Sequence, residues 1–352
     1  MKIVIAILFL LTISCSGIQK AEKLKPYLSE RPSPIFLEGN KTPIKISYIG
    51  CGGYLIQEKT SSIMIDPYFS NVAPLPLVPF KKLKPDTTLI DAFFKEKFDA
   101  TRDQKGNLKA ILVAHSHYDH LADIPAIYTR NCNPDSTLII GGESTKNILE
   151  GAGIVDYVHA IDDSYSQAEN GDYNWIYTAN NRIRILPLAS EHAPHICGIK
   201  LVSAKKVTQP LEAFPQKARK FPEGENYTFL IDFLDESGKV TFRIFSNASA
   251  ACNGKEQVGF PPKELLEEKQ VDVLFLCVAS FNQVEGYPNE LVKFIQPRHI
   301  LLNHWENFFM PMSKLQKYPA TVPGTNVSKF IAELENTADF TLLLPLTKIV
   351  FY

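Results

Sequence analysis

The chain carries no charge excess: 37 Lys and Arg stand against 38 Asp and Glu over 352 residues, a net charge of -1. A nucleic-acid surface shows as a basic surplus, so DNA and RNA are excluded as expected partners. Long hydrophobic runs are lacking too. Ile3-Val-Ile-Ala-Ile-Leu-Phe-Leu-Leu11 falls well short of the roughly 20 residues of a bilayer span. Cysteine is sparse, and Cys51, Cys132, Cys197, Cys252 and Cys277 are odd in number and scattered once Cys15 is set apart. That is no disulfide framework, although an exported chain could form one bridge. Cys277, inside Val271-Asp-Val-Leu-Phe-Leu-Cys-Val278, reads as a buried apolar residue. Internal repeats and low-complexity segments are absent, so neither a solenoid nor a disordered chain is expected.

Histidine is scarce as well, eight in all, yet three fall in His115-Ser-His-Tyr-Asp-His120, directly after the apolar run Leu108-Lys-Ala-Ile-Leu-Val-Ala114. Imidazole and carboxylate are the usual ligands of zinc, iron and manganese. A buried strand that ends in such a cluster holds its ligands rigidly and leaves room above them for substrate. The stretch predicts a metal site.

The first residues read as a secretory signal: Met1-Lys2, the apolar run, then Thr12-Ile-Ser-Cys15-Ser-Gly17. A cysteine directly after Ser14 resembles the lipobox of bacterial lipoproteins, with Thr12 where leucine is usual. The expectation is a lipoprotein-type signal over 1–15, acylation at Cys15, a tether over 16–43 and one domain over 44–352. Acyl chains at Cys15 would anchor the exported protein to a bacterial membrane, in the periplasm or at the cell surface. The competing reading is an ordinary cleaved signal that happens to contain a cysteine.

Along the chain, Ile44–Ile49, Tyr54–Gln57 and Ser62–Asp66 predict a meander of short strands. The proline-punctuated stretch Pro67 to Pro85, with Leu75, Leu77, Val78 and Phe80, reads as a long apolar loop, either a substrate wall or a loop packed on its own domain. Leu89, Ile90, Phe93, Phe94 and Phe98 have helical spacing behind Asp86 or Thr87 as N-cap. A strand at Thr137–Ile140, a helix over Glu143–Glu150 and a strand at Val155–Val158 give α/β layering. Hairpins follow, with Lys205 to Glu225 as a polar surface insertion. His192 and His304 each follow a strand; His159 and His299 lie in or beside apolar strands and read as structural.

These residues resemble the metallo-β-lactamase superfamily. H-S-H-Y-D-H is similar to its H-x-H-x-D-H signature. Tyr48-Ile-Gly-Cys-Gly-Gly-Tyr-Leu-Ile-Gln57 and Ile63-Met-Ile-Asp-Pro-Tyr-Phe-Ser70 resemble its opening strands, and Arg298-His-Ile-Leu-Leu-Asn-His304-Trp-Glu-Asn-Phe308 a late His-Trp motif. Within it, the branch of N-acyl phosphatidylethanolamine phospholipase D and bacterial lactonase-like hydrolases is the most similar. The resemblance, over about 44–352, implies an α/β four-layer fold, the αβ/βα sandwich of two mixed sheets with outer helices. It implies one metal on His115, His117 and His192, with His195 the runner-up to His192, and a second on Asp119, His120 and His304. Zinc is expected first, iron or manganese next, as one or two ions. The family's bridging aspartate has no counterpart in Phe245-Ser-Asn-Ala-Ser249: Ala248 stands in its place, with Asn247 or Cys252 as substitutes.

The expected function is metal-dependent hydrolysis of an ester, lactone or phosphodiester by metal-bound hydroxide, with Asp119 as the catalytic acid–base residue and a small-molecule or lipid-like substrate. The alternative is a metal-containing surface binding protein on the same fold, impaired by the lost acid.

Overall fold

The computed structural model describes residues 19–40, 42–59, 61–71, 82–98, 107–162, 172–194, 205–250, 258–334 and 338–352. Cys15, His195, Cys197, Cys252 and most of the proline-rich stretch lie outside them.

A short helix at Ala21–Leu24 leads to strand β1 (Leu28–Ser29). The antiparallel meander β2 (Ile44–Gly50), β3 (Gly53–Glu58) and β4 (Ser61–Ile65) follows, then the parallel strands β5 (Leu108–Leu112), β6 (Leu138–Gly142) and β7 (Val158–Ile161). The second half repeats the plan. β8 (Ile176–Tyr177), β9 (Ile183–Ser190), β10 (Asn226–Leu234) and β11 (Val240–Asn247) are antiparallel neighbours, and β12 (Val273–Cys277), β13 (His299–Asn303) and β14 (Phe340–Leu343) continue in parallel. The last strand, β15 (Lys348–Phe351), returns to the first sheet beside β2. The sheet orders are β15-β2-β3-β4-β5-β6-β7 and β1-β14-β13-β12-β11-β10-β9-β8. Two mixed sheets face each other, with helices outside: the αβ/βα sandwich.

Strand periodicity explains the layering. On β3 to β5, Tyr54, Ile56, Ile63, Ile65, Ala110, Leu112 and Ala114 point into the core between the sheets, while the alternate residues Leu55, Met64, Ile111 and Val113 point outward to the helices. Strands buried on both faces need unbroken apolar runs, which is what the sequence supplies. Across the interior, Tyr54 stacks on Phe275 with ring centroids 3.9 Å apart. Outside, Ile90, Phe93 and Phe94 of the helix Thr87–Lys97 cover the first sheet, and Asp86 caps that helix by accepting from the Leu89 N–H at 3.0 Å. The β2–β3 turn requires glycine at 53. A Cβ there would lie 2.8 Å from the Gly50 carbonyl oxygen and 2.9 Å from that of Asp66.

Two expectations change. Residues 19–40 are not a free tether: Leu24 is fully buried, Leu37 nearly so, and β1 pairs with β14. Their apolar positions, too widely spaced to reveal an element alone, find partners on the body. The stretch from Lys205 to Glu225 is likewise no mere surface insertion. Phe221 is fully buried, and the Ser116 N–H donates to the Glu223 carbonyl at 2.9 Å, bracing the histidine-rich loop.

Candidate metal centre

The strands that carry the candidate ligands all end at one edge. β5 leads to His115, β9 to His192, β11 to Asn247 and Ala248, and β13 to His304. In open α/β sheets the space beyond the carboxyl ends of parallel strands is where ligands sit. The short helix Tyr118–Leu121 starts within the motif and turns Asp119 and His120 back to the same edge.

Six side chains meet there in two groups, His115 with His117 and His192, and Asp119 with His120 and His304. Within each, one ligand atom per residue lies within 4.8 Å of the others. His115 Nε2 faces His117 Nδ1 at 3.0 Å, and the rings of His115 and His117 lie 4.7 and 4.8 Å from that of His192. His192 donates Nδ1–H to the Ala193 carbonyl at 2.6 Å, which leaves the Nε2 lone pair for the cluster. In the second group, Asp119 Oδ2 is 3.3 Å from His304 Nε2 and 3.6 Å from His120 Nε2. The groups adjoin, with the His115 and His120 rings 3.9 Å apart.

Electrostatically the halves differ. Burial, then the neighbouring imidazoles, holds His115 well below its ordinary pKa, so it is neutral, as a ligand must be. For His120, burial acts downward, but the charges of Asp66 and Asp119 outweigh it and the net shift is upward. For Asp119, burial acts upward, but the charge of His120 and the hydrogen bond and charge of His304 win, holding its carboxyl below the usual range. It is ionised.

The donor set fits a divalent cation. His120 Nε2, turned toward Asp119, is a buried ring nitrogen without a hydrogen-bond partner, which costs free energy that a bound ion would relieve. Ala248 is buried, and its Cβ stands 3.5 Å from where a Cβ on Gly52 would lie, a point that is also 3.2 Å from His120 Cε1. Ala248, where the resemblance would put a bridging aspartate, thus lies beside the second group. Asn247 Oδ1 accepts from the Ser249 N–H at 3.0 Å. His299, by contrast, sits at the start of β13 with Nε2 2.9 Å from Thr341 Oγ1, a structural partner.

Three further residues shape the site. Asp66, fully buried at the end of β4, accepts from the Ala114 N–H through Oδ1 at 2.8 Å and aims Oδ2 at His120 Nδ1, 3.2 Å away. A carboxylate so close to an imidazole is the kind of neighbour that would orient a metal-ligating histidine. Glu306, fully buried, accepts from the Tyr48 hydroxyl and the Cys51 N–H. Tyr48 in turn accepts from the His304 N–H at 3.1 Å, while the Cys51 carbonyl accepts from that N–H at 2.6 Å. The sequence signal for Asp66 is an acid closing a buried apolar strand; that for Glu306 is an acid directly after His304-Trp305.

No family model matches the chain, and no curated protein matches it. Solved structures do. Igni18, a metallo hydrolase from Ignicoccus hospitalis, is 13% identical over 88% of this chain and 99% of its own, with a TM-score of 0.48. YhfI of Bacillus subtilis, a metallo-β-lactamase fold protein, is 12% identical over 88% of this chain and 100% of its own, with a TM-score of 0.47. CmlA, a diiron β-hydroxylase from Streptomyces venezuelae, is 12% identical over 91% of this chain and 55% of its own, with a TM-score of 0.44. Identities this low carry no residue role across, so roles rest on this chain's own side chains.

Proposed function

We propose that the protein is a metal-dependent hydrolase of an ester, lactone or phosphodiester, lipid-like in character, held at a bacterial membrane by an acylated Cys15. The observation behind the reading is the convergence of two three-ligand groups at one sheet edge. A divalent ion, zinc first, would supply Lewis acidity there, bringing water ionisation toward neutral pH and polarising the acceptor oxygen. The chain's residues do the rest. His115, His117 and His192 form an all-imidazole half. Asp119, ionised and at the junction of His120 and His304, orients the attacking water by accepting a hydrogen bond from it. Asp66 holds the His120 ring in register through Nδ1.

A second reading is a binding protein on the same scaffold. Ala248 favours it, because it offers no charge where a bridging carboxylate would sit. Metal analysis of the purified wild type and of His117→Ala, with a panel of esters, lactones and phosphodiesters, separates the two. The hydrolase reading requires metal-dependent turnover that His117→Ala abolishes together with bound metal. Metal retention without turnover on any of them, before and after Ala248→Asp, leaves the binding reading.

A further inference from the structure

The chain from Gln19 on is pinned close to the candidate metal centre. Gln19 N–H donates to Thr321 Oγ1 at 3.0 Å, Thr321 N–H donates to the Gln19 carbonyl at 3.0 Å, and Lys20 forms a β-bridge with Ala320. The Gln19 side chain also accepts from the Val327 N–H at 2.7 Å, at the start of the helix Val327–Leu334, and its Nε2 donates to Asn326 Oδ1 at 3.0 Å. Thr321 bridges in turn to Glu306, two residues after the ligand His304. Two strand spacings put Gln19 about 10 Å from Glu306. Cys15 precedes Gln19 by four residues, and covalent geometry limits that stretch to about 14 Å. An acyl chain on Cys15 would therefore be attached within about 14 Å of Gln19.

Charge at the junction suits an anionic surface. In residues 19–25 and 311–330, the two segments that meet there, Lys20, Lys23, Lys25, Lys314, Lys317 and Lys329 are all exposed, against a single acid, Glu22. Tyr318, 56% exposed, adds an amphipathic ring beneath Lys317.

We infer that this lysine-rich face around the Gln19–Thr321 junction docks flat on an anionic lipid bilayer, placing the metal centre on the membrane side of the body. The inference rests on acylation of Cys15 and deepens the lipid-like substrate reading: esters or phosphodiesters borne by the bilayer are presented at the site.

The test uses the full-length acylated protein in phosphatidylglycerol–phosphatidylcholine vesicles with brominated acyl chains, which quench tryptophan at the surface. Tyr318→Trp is compared with Tyr177→Trp, a position 45% exposed on β8, at the opposite edge of the sheet from β1. Relative to wild type, the tryptophan at 318 loses most of its added emission and the one at 177 keeps its own. A flexible spacer inserted between Cys15 and Gln19 relieves the quenching at 318 while the protein stays bound to the vesicles. With acylation verified by mass, equal quenching at both positions, or none at 318, overturns the docking face and leaves the anchor standing. A mass showing unmodified Cys15 overturns both, with the metal-centre reading untouched.

Discussion

Replacing Asp66 by Asn removes one negative charge and changes almost no volume, and its consequence follows from hydrogen-bond chemistry. The amide oxygen still accepts from the Ala114 N–H, where Asp66 Oδ1 does so at 2.8 Å. The amide NH2 then faces His120 Nδ1, where Oδ2 now stands 3.2 Å away. A donor opposite Nδ1 obliges that nitrogen to accept, so the ring proton moves to Nε2, the atom turned toward Asp119. A protonated Nε2 cannot ligate. Loss of such a partner typically weakens metal affinity about 10- to 100-fold, or roughly 1.4–2.8 kcal/mol. The loss should fall on the Asp119, His120 and His304 group and spare the His115, His117 and His192 group, which Asp66 does not touch. Titration of metal-free protein with Zn2+ against a chromophoric chelator resolves the two affinities, and urea unfolding of the metal-free variant checks that the fold is retained. An unchanged weaker affinity, or equal loss at both groups, would refute the argument.

Three other outcomes follow from the same geometry. Ala248→Asp places a carboxylate beside His120 and should raise the metal content toward two ions per chain, read by elemental analysis; no gain would mean that the acid's absence is not what limits the second group. His299 titrates at about 4 in the folded chain because burial disfavours its charge, against an ordinary 6.5. Its folded pKa is depressed, so stability is whole above pH 6.5 and falls as the pH drops toward 4, by at most about 3 kcal/mol. Urea unfolding at pH 7 and pH 4.5 should show a smaller difference for His299→Gln than for wild type. Phe94→Ala, in the helix layer over the first sheet, should cost about 3–5 kcal/mol of unfolding free energy without altering metal content.

The layering and ligand clustering were legible because each has a local signature. Apolar runs along β3 to β5 announce a sheet buried on both faces, and three histidines after one strand announce ligands. Docking of 19–40 was not legible, because Gln19, Leu24 and Leu37 acquire meaning only against Thr321, the helix at 327–334 and the core. Their partners lie some 300 residues away, and no window along the chain connects them. Glu306 was not legible either, since its role depends on Tyr48 and Cys51 from the opposite end of the sequence.

That long-range network explains how one edge can hold its ligands. Cys51, Asp66 and His304 are non-glycine residues with φ of 53°, 41° and 53°, a conformation L side chains rarely adopt. Each such residue costs on the order of 1–3 kcal/mol and persists only where its surroundings over-determine it. Here they do. Glu306 fixes Cys51, Cys51 and Tyr48 both receive the His304 N–H, and Asp66 is fixed through the Ala114 N–H one residue before His115. The strained positions are thus the ligand-bearing strand end at His304 and its immediate supports. The His115, His117 and His192 group is braced differently, through the Ser116 N–H on the Glu223 carbonyl and the Ala193 N–H on Ser249 Oγ. The Asp119, His120 and His304 group is thus held from behind by buried carboxylates, Asp66 beside His120 and Glu306 through Cys51 and Tyr48.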